Sequence, residues 1–435
     1  MKRKIKILAY ADSPECFSGF GQVSRNILGL LHDSGEYEVT CFGINHNIVT
    51  DDFGRIEEFK TPYEILPASF LTNEEMNKGF EYDMLGKKKL MKLLYKEDFD
   101  IIWSVQDPYV VGFLDEVFTS LRKQFLKKFQ TIFYFPVDCA GISKEWAQIP
   151  NIFDQQVVYT DFGKEEVIKT YDDVNDKVRI QKELKVIPHG TNVEDFKPLD
   201  KDIKLKIRES LGISKDTCVV INVNRNQPRK DISRTMEAFA KFKKKVPNSI
   251  LFLYCKPDDI GGNLPLKMKY YGLEDKKDVF FPQMPTGKKA FQGTPIEEVN
   301  QAYNSADMCI STTLGEGWGL SLTEAMAAKI PAIFPANSSI NEIIGDDERG
   351  FKIKCGNHPS LHIQLSGNVD DPIRQLTDVD DMVEKMVFVW ENRNKPVVKD
   401  KVEAAYKYVH EHTWEKIFKK YWKPLFDKAV LKLNS

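Results

Sequence analysis

Glu316 and Glu324 lie eight residues apart in a glycine-rich segment that follows a short apolar run. The pattern predicts a turn and then a helix from about Leu322 to Lys329, whose first backbone N–H groups can receive a phosphate. Glu324 also has a structural interpretation, because Ser321-x-x-Glu324 matches a capping box. Glu316 is harder to explain structurally, since a turn needs no carboxylate there. The turn is attributed to three glycines, Gly315, Gly317 and Gly319.

Three cations follow a second apolar run. Arg225 and Lys230 flank a proline turn, and Arg229 lies between them. An arginine fork and a compact lysine charge suit a diphosphate at the carboxyl end of a strand. Arg229 is a third cation, which could point to solvent. The alternative interpretation is a solvated basic loop without a ligand.

The segment Ser18-Gly19-Phe20-Gly21 is a further candidate for phosphate binding. It lies between a predicted strand and an amphipathic helix, where glycines let backbone N–H groups approach an anion. Ser24 occupies the place of the third glycine in a G-x-G-x-x-G motif, and no Gly-Lys-Ser/Thr follows, so neither a nicotinamide site nor a P-loop is supported. A plain tight turn is the alternative.

Short β-rich apolar runs that alternate with amphipathic stretches must position these groups. Such alternation predicts an α/β fold with parallel sheets covered by helices on both faces. The first series of predicted strands is Ile5–Tyr10, Glu38–Phe42, Ile101–Val105, Thr131–Phe135, Gln156–Thr160 and Val186–Pro188. The second series is Cys218–Val223, Ile250–Tyr254, Val279–Phe281, Met308–Ser311 and Ala332–Phe334.

We therefore predict two doubly wound, Rossmann-like domains, residues 1–195 and 196–410, followed by a C-terminal helix at 411–435. In open α/β sheets, ligands bind beside the carboxyl ends of the strands. The polar and glycine-rich segments follow strand ends in both series. Two such edges facing each other would form a deep cleft.

Composition narrows the class of protein. The chain has 62 Lys+Arg against 64 Asp+Glu, a formal net charge of −2, which argues against a chain-wide polycationic surface that coats nucleic acid. No apolar run reaches the roughly 18 residues of a membrane span. The N-terminus lacks the pattern of a secretory signal, and the seven cysteines are scattered without a C-x-x-C. A cytoplasmic location and no metal site are expected.

The chemistry-bearing segments resemble one known family. Gly315-Glu316-Gly-Trp-Gly-Leu-Ser-Leu-Thr-Glu324 is similar to the Glu-x7-Glu signature of retaining GT-B glycosyltransferases, specifically glycosyltransferase family 4. Arg225 to Lys230 resembles the family's G-R-x-x-P-x-K-G segment, although Asn224 and Asp231 replace its glycines. Residues 186–198 resemble its domain-junction stretch, and Gly19-Phe-Gly21 its N-terminal glycine loop.

The resemblance implies a role for each matching residue. Glu324 would hold the ribose hydroxyls of a nucleotide-sugar donor, and Glu316 the hydroxyls of the transferred sugar. The amides of Gly319, Leu320 and Ser321 would lie near sugar and phosphate. Arg225 and Lys230 would neutralise the departing diphosphate, which makes a metal unnecessary. Gly19, Phe20 and Gly21 would also contact the donor, and the C-terminal helix would cross back to the first domain.

Asp138 marks a departure from the family pattern. Many members carry a His-Asp pair near this place, where the chain reads Pro136-Val137-Asp138. Asp138 is expected to take over the sugar-contacting or proton-handling role, or to align the acceptor. Its alternative is a strand-end carboxylate that accepts backbone hydrogen bonds.

The resemblance implies a GT-B architecture and retaining sugar transfer from a nucleotide diphosphate sugar, with UDP or GDP favoured over ADP and no bound cofactor. The acceptor stays open among a glycan, a lipid, a protein and a modified nucleic-acid base. Two alternative functions stay open: a non-catalytic sugar-nucleotide sensor or scaffold, and a GT-B sugar-nucleotide epimerase or phosphorylase. Basic stretches at 87–96 and 121–128 are expected to be solvated helix faces, with weak contact to a membrane or nucleic acid as the alternative.

Two Asp-x-Asp pairs imitate the metal-binding motif of the other large glycosyltransferase fold. Asp98 and Asp100 precede a predicted strand, at the edge opposite the cleft. Asp378 and Asp380 are predicted to begin a helix, where acidic side chains complement the helix dipole. Both pairs are interpreted as structural.

Overall fold

The computed structural model describes residues 3–46, 60–68, 83–172, 184–282, 294–364 and 372–434, and these residues form two parallel sheets flanked by helices. The strands are β1 Ile5–Asp12, β2 Tyr37–Ile44, β3 Glu64–Pro67, β4 Ile101–Val105, β5 Gln130–Phe135, β6 Gln155–Val158, β7 Lys185–Val186, β8 Cys218–Asn222, β9 Ser249–Leu253, β10 Asp258–Asp259, β11 Gly262–Asn263, β12 Val279–Phe280, β13 Met308–Ile310, β14 Ala332–Pro335, β15 Phe351–Ile353, β16 His362–Gln364 and β17 Ile373–Gln375.

The α-helices are α1 Gly19–Asp33, α2 Lys87–Lys96, α3 Pro108–Val111, α4 Leu114–Lys123, α5 Lys144–Gln148, α6 Asp161–Asp172, α7 Lys201–Ser210, α8 Ile232–Lys245, α9 Leu264–Tyr270, α10 Ile296–Ser305, α11 Leu320–Ala327, α12 Ser338–Ile344, α13 Val379–Asn392, α14 Pro396–Glu411, α15 Trp414–Ile417 and α16 Lys423–Leu433. A π-helical turn, Phe418–Trp422, joins α15 to α16. None of the described helices combines the length and the apolar character that crossing a membrane requires.

Each main sheet is parallel and doubly wound. The first has the order β3-β2-β1-β4-β5-β6-β7, and the second β12-β9-β8-β13-β14-β15. The strand order reverses between β1 and β4 and between β8 and β13, which is where a doubly wound fold opens a crevice for ligands. The predicted α/β fold of two such domains is confirmed.

Burial explains why the strands were readable from the sequence. Residues Ile7 to Ala11 of β1 are all 0% exposed, because helices cover both faces of a parallel sheet and the strand is apolar on both sides. Every predicted strand lies within about two residues of an observed one. In the two main sheets, β3 and β15 were not predicted, since β3 contains Pro67 and β15 has only three residues. The short strands of the two small sheets, β10, β11, β16 and β17, were not predicted either.

The C-terminal segment packs on the first domain. The Trp422 ring lies 4.7 Å from that of Tyr134 and 6.0 Å from that of Trp103, measured between centroids. Phe426 packs against Tyr37 of β2. Lys423 adds an ion pair with Glu36 at 3.2 Å. The second domain is thereby tied to the first at a place remote in sequence.

The acidic pairs and basic stretches have structural contacts. Asp98 pairs with Lys127 at 2.9 Å, and Asp100 pairs with Arg3 at 2.7 Å. Asp378 begins α13 as its N-cap, as predicted, and its side chain accepts from the N–H groups of Asp380 and Asp381. The basic stretch 87–96 forms helix α2, which buries Leu90 and Leu94 against the first sheet.

Two neighbouring tyrosines in the core differ in how their hydroxyls are satisfied. The Tyr134 hydroxyl donates to the Ile187 carbonyl oxygen at 2.8 Å and lies 2.6 Å from Nδ1 of His189. The Tyr159 hydroxyl, whose ring centroid is 4.2 Å from that of Tyr134, is buried and has no hydrogen-bond partner within the described part of the chain. A buried polar group without a partner costs stability.

Tyr134→Phe is therefore expected to lower the free energy of unfolding by about 1–3 kcal/mol. The reason is that the Ile187 carbonyl oxygen and His189 Nδ1 would lose the hydroxyl as a hydrogen-bond partner. Tyr159→Phe is expected to leave stability unchanged or to raise it by about 1 kcal/mol. Chemical denaturation of both variants beside the wild type measures the difference. Equal losses in the two variants would contradict the assignment.

Candidate active site

Glu316 lies at the switch point of the second sheet, where two cations hold its carboxylate. It follows β13, whereas Lys230 ends a 3-10 turn, Pro228–Lys230, that follows β8. Lys230 Nζ donates to Glu316 Oε1, and Arg229 Nη1 lies 3.1 Å from Oε2. Burial acts to raise the pKa of Glu316, but the Lys230 and Arg229 charges lower it to about 2. Glu316 is thus a permanent, 8% exposed carboxylate.

The backbone around Glu316 is held by two serines at the start of α12. Ser338 Oγ accepts from the Glu316 N–H at 2.8 Å. Ser339 Oγ donates to the carbonyl oxygens of Glu316 and Trp318, at 2.7 and 2.9 Å. These serines follow a strand end, β14, which is the only sequence signal that marked them. They fix the turn that aims Glu316.

Arg229 is the centre of the site, and the interpretation that it points to solvent is wrong. Besides Glu316, its guanidinium contacts the carbonyl oxygen of Gly315 and, through Nε at 3.3 Å, Oδ2 of Asp138. The physical reason is the turn geometry: Asp231 follows in the left-handed conformation, with φ of 43°, and the short 3-10 turn aims Arg229 and Lys230 at one carboxylate. The sequence shows three adjacent cations but not their directions.

Asp138 of the first domain is clasped by two arginines of the second. Arg374 Nη2 lies 3.0 Å from Asp138 Oδ1, opposite the contact that Arg229 makes with Oδ2. Arg374 also donates to the Asp138 carbonyl oxygen at 3.4 Å and is only 8% exposed. Sequence reasoning missed Arg374, which lies on the short strand β17, 236 positions from Asp138, and belongs to no motif. The pair of arginines links the two walls of the cleft.

Glycines let those walls touch. A Cβ atom on Gly315 would lie 1.8 Å from the Asp138 carbonyl oxygen, and one on Gly317 would lie 2.6 Å from Pro136 Cβ. Gly315 also has φ of +153°, a conformation that side chains disfavour. The glycines of the motif therefore serve close approach between domains as well as the turn.

Asp107 is a further carboxylate of the first domain and lies two residues after the end of β4. Burial and the nearby Asp138 charge raise its pKa to about 6, and Arg229 acts in the opposite direction. The position after a strand end at the switch point was its only sequence signal. It can exchange a proton near neutral pH, which Glu316 cannot.

Glu324 does not form a capping box, and that interpretation is wrong. Helix α11 begins at Leu320, with Gly319 as its N-cap, so Ser321 lies inside the first turn. The Glu324 carboxylate instead accepts from the Tyr303 hydroxyl at 2.9 Å and from the Gln22 side chain of the first domain. Burial raises its pKa to about 7. The first helical hydrogen bond is made by the Leu322 N–H to Gly319, so the Leu320 and Ser321 amides precede it.

Arg225 is not brought to this cluster. Its side chain is 60% exposed and pairs with Asp259 at 2.8 Å, in a hairpin of the second domain. The two cations that were predicted to bind a diphosphate together are thus separated in the structure. Lys230 points into the cleft, whereas Arg225 lies on its rim.

The predicted glycine loop of the first domain faces the second domain. Ser18 is the N-cap of α1 and accepts from the Gly21 N–H at 2.9 Å, and Phe20 packs against the core. A Cβ on Gly19 would lie 3.3 Å from Leu320 Cδ1. The buried Asp12 carboxylate accepts from the Ser18 hydroxyl, so a negative charge already lies beside this helix start.

Comparison with known proteins finds sequence similarity in the second domain. Residues 203–375 match the model of the family described as glycosyl transferases group 1. This part of the chain is similar in sequence to that family. One curated relative, trehalose synthase of Pyrococcus horikoshii, is 26% identical over 184 residues, which are 39% of this chain and 43% of the relative. The matched region spans 40–43% of the length of three curated relatives.

Solved structures extend the likeness to the whole chain. A glycosyltransferase from Rickettsia africae has a TM-score of 0.68 at 13% identity, covering 98% of this chain and 99% of that one. HepE of Anabaena, in complex with UDP-glucose, has a TM-score of 0.67 at 14% identity, covering 97% and 100%. The whole chain thus has a GT-B fold, as the resemblance predicted.

Proposed function

We propose that this protein is a retaining glycosyltransferase that moves a sugar from a nucleotide diphosphate sugar to an acceptor. The observation that carries the proposal is the buried cluster of Glu316, Lys230 and Arg229 at the β8/β13 switch point, facing Asp138 across the cleft. The match of residues 203–375 to group 1 glycosyl transferases supports the same chemistry.

The donor would lie along the second sheet's edge. Glu324 would accept hydrogen bonds from the ribose hydroxyls, and the amides at the start of α11 would face the diphosphate. A UDP or GDP sugar is our preferred donor. The support for UDP is the fold shared with HepE, a protein that was solved with UDP-glucose.

Charge development favours departure of the nucleotide. As the bond to the anomeric carbon breaks, negative charge grows on the diphosphate, and a fixed cation stabilises that charge more than it stabilises the ground state. Lys230 is 13% exposed, so its charge acts with little solvent screening. In the proposed mechanism no metal is needed, and a chelator leaves the rate unchanged.

Retention would follow from attack on the face that the leaving group occupies. Glu316 is held by two cations with a pKa of about 2, so it suits binding of sugar hydroxyls and not proton transfer. The leaving phosphate would take the acceptor's proton. Asp138, clasped by Arg229 and Arg374, would align the acceptor, and Asp107 beside it would exchange protons near neutral pH.

The test is donor hydrolysis with UDP-, GDP- and ADP-sugars in the presence of EDTA. Glu316→Gln keeps the shape of the side chain but removes the charge, and release of nucleotide is expected to fall about 100-fold or more. Glu403→Gln, at an exposed carboxylate paired with Lys329, is the matched control and should keep the wild-type rate.

Two results would contradict the proposal. Tight nucleotide binding without release, even with acceptors from a cell extract, would indicate the sensor. Release that disappears with EDTA and returns with a divalent cation would refute metal independence.

A further inference from the structure

Tyr303 is a buried tyrosine whose hydroxyl serves the carboxylate proposed to bind ribose. It lies on α10 with 0% exposure. Its hydroxyl is 2.9 Å from Glu324 Oε2 and 3.2 Å from the Ser321 carbonyl oxygen, so the shorter contact is to the carboxylate. A hydroxyl that donates to a carboxylate stabilises its charged form.

Glu324 is surrounded by few groups that would keep it charged. Burial raises its pKa to about 7, and the hydrogen bonds from Tyr303 and from Gln22 of α1 act to lower it. The Asp195 carboxylate, in the loop after β7, acts with burial to raise it, and the pKa of about 7 is the net result of all these effects. Cys309 of β13 also faces Glu324, and burial keeps its thiol protonated by raising the thiol pKa.

We propose that Tyr303 is a positioning residue that holds Glu324 ionised and oriented, so that donor binding strengthens as pH rises through the neutral range. This inference rests on the proposed function, because it takes Glu324 as the ribose contact. An ionised carboxylate accepts from two hydroxyls at once, whereas a protonated one must place its own hydrogen and accepts less well.

The sign of the effect follows from the charge state. Below its pKa, Glu324 is protonated and the donor binds weakly. Above it, the carboxylate is charged and binding is complete. Removing the Tyr303 hydroxyl disfavours the charged form, so the transition moves to higher pH.

The experiment is titration calorimetry with whichever of UDP-glucose, GDP-mannose and ADP-glucose binds, from pH 5.5 to 8.5. These diphosphate diesters carry no phosphate group that titrates in this range. Wild-type affinity should fall about tenfold per pH unit below a midpoint near 7. In Tyr303→Phe the midpoint should rise by roughly one pH unit, with affinity recovering at the alkaline end.

Two variants separate positioning from damage to the fold. Glu324→Gln should bind weakly and independently of pH. Tyr159→Phe, which removes a buried hydroxyl that contacts no carboxylate within the described residues, should keep the wild-type midpoint.

Each of the remaining outcomes overturns either this inference or the proposed function. A uniform loss of affinity in Tyr303→Phe at every pH, with the midpoint unchanged, would overturn the inference and leave the proposed function intact. A wild-type profile that is flat across the range would do the same. Absence of binding by all three donors to the wild type would overturn the proposed function itself.

Discussion

Lys230→Met is expected to slow turnover of the donor by about 100- to 1000-fold. Methionine is close to lysine in length and keeps most of the packing, but it removes the charge that contacts Glu316. In the proposed reaction, the departing diphosphate would then lose the buried Lys230 charge that stabilises it. Breaking a buried pair also leaves Glu316 with Arg229 alone, so a loss of stability of about 3 kcal/mol is expected.

Steady-state release of nucleotide and thermal unfolding of the same preparations check both parts. Lys241→Met is the matched control, because Lys241 lies on α8 at the surface and pairs with Asp380. It should change stability by less than about 0.5 kcal/mol and leave turnover unchanged. Wild-type turnover in a folded Lys230→Met variant would show that the charge has no part in the reaction.

Gly315→Ala is expected to prevent the two domains from closing and to lower turnover about 100-fold, since small displacements of reacting groups cost that much. The added Cβ would lie 1.8 Å from the Asp138 carbonyl oxygen, which is backbone and cannot rotate away. The domains must separate, and Asp138 then loses its contacts with Arg229 and Arg374. Binding of UDP to the second domain should persist.

Small-angle scattering and UDP calorimetry measure these two effects separately, with nucleotide release as the third readout. Gly212→Ala is the control, because Gly212 has φ of +70° but nothing within 4 Å of an added Cβ. It carries the backbone strain of about 1 kcal/mol without the collision. Equal turnover in Gly315→Ala and Gly212→Ala would refute the role of close approach between domains.

The sequence alone determined the local architecture. Short apolar runs of β-branched residues marked the strands because strands in a covered parallel sheet are buried on both faces. The positions of Glu316 and Lys230 were also readable, since each follows a strand at the edge where a doubly wound sheet binds ligands. The sequence pattern does not give the order of the strands in each sheet. The alternation of strands and helices nevertheless leaves only a few parallel arrangements.

What the tertiary structure decided was the direction and partner of each polar side chain. Arg225 and Arg229 are both arginines and lie four residues apart, so the sequence does not distinguish them. Only the left-handed turn at Asp231 shows that Arg229 is the one that enters the cleft. The capping box at Ser321 and Glu324 is a correct local pattern that the fold does not use, because α11 begins at Leu320.

The contact between Asp138 and Arg374 joins residues 236 positions apart, and no local signal encodes such a pair. Periodicity reports which face of an element is buried, since that depends on near neighbours in the chain. Ion pairs across a cleft depend on how two independently folded sheets meet. That meeting is set by glycines at the contact and by the C-terminal helices, and it appears only when the whole chain is assembled.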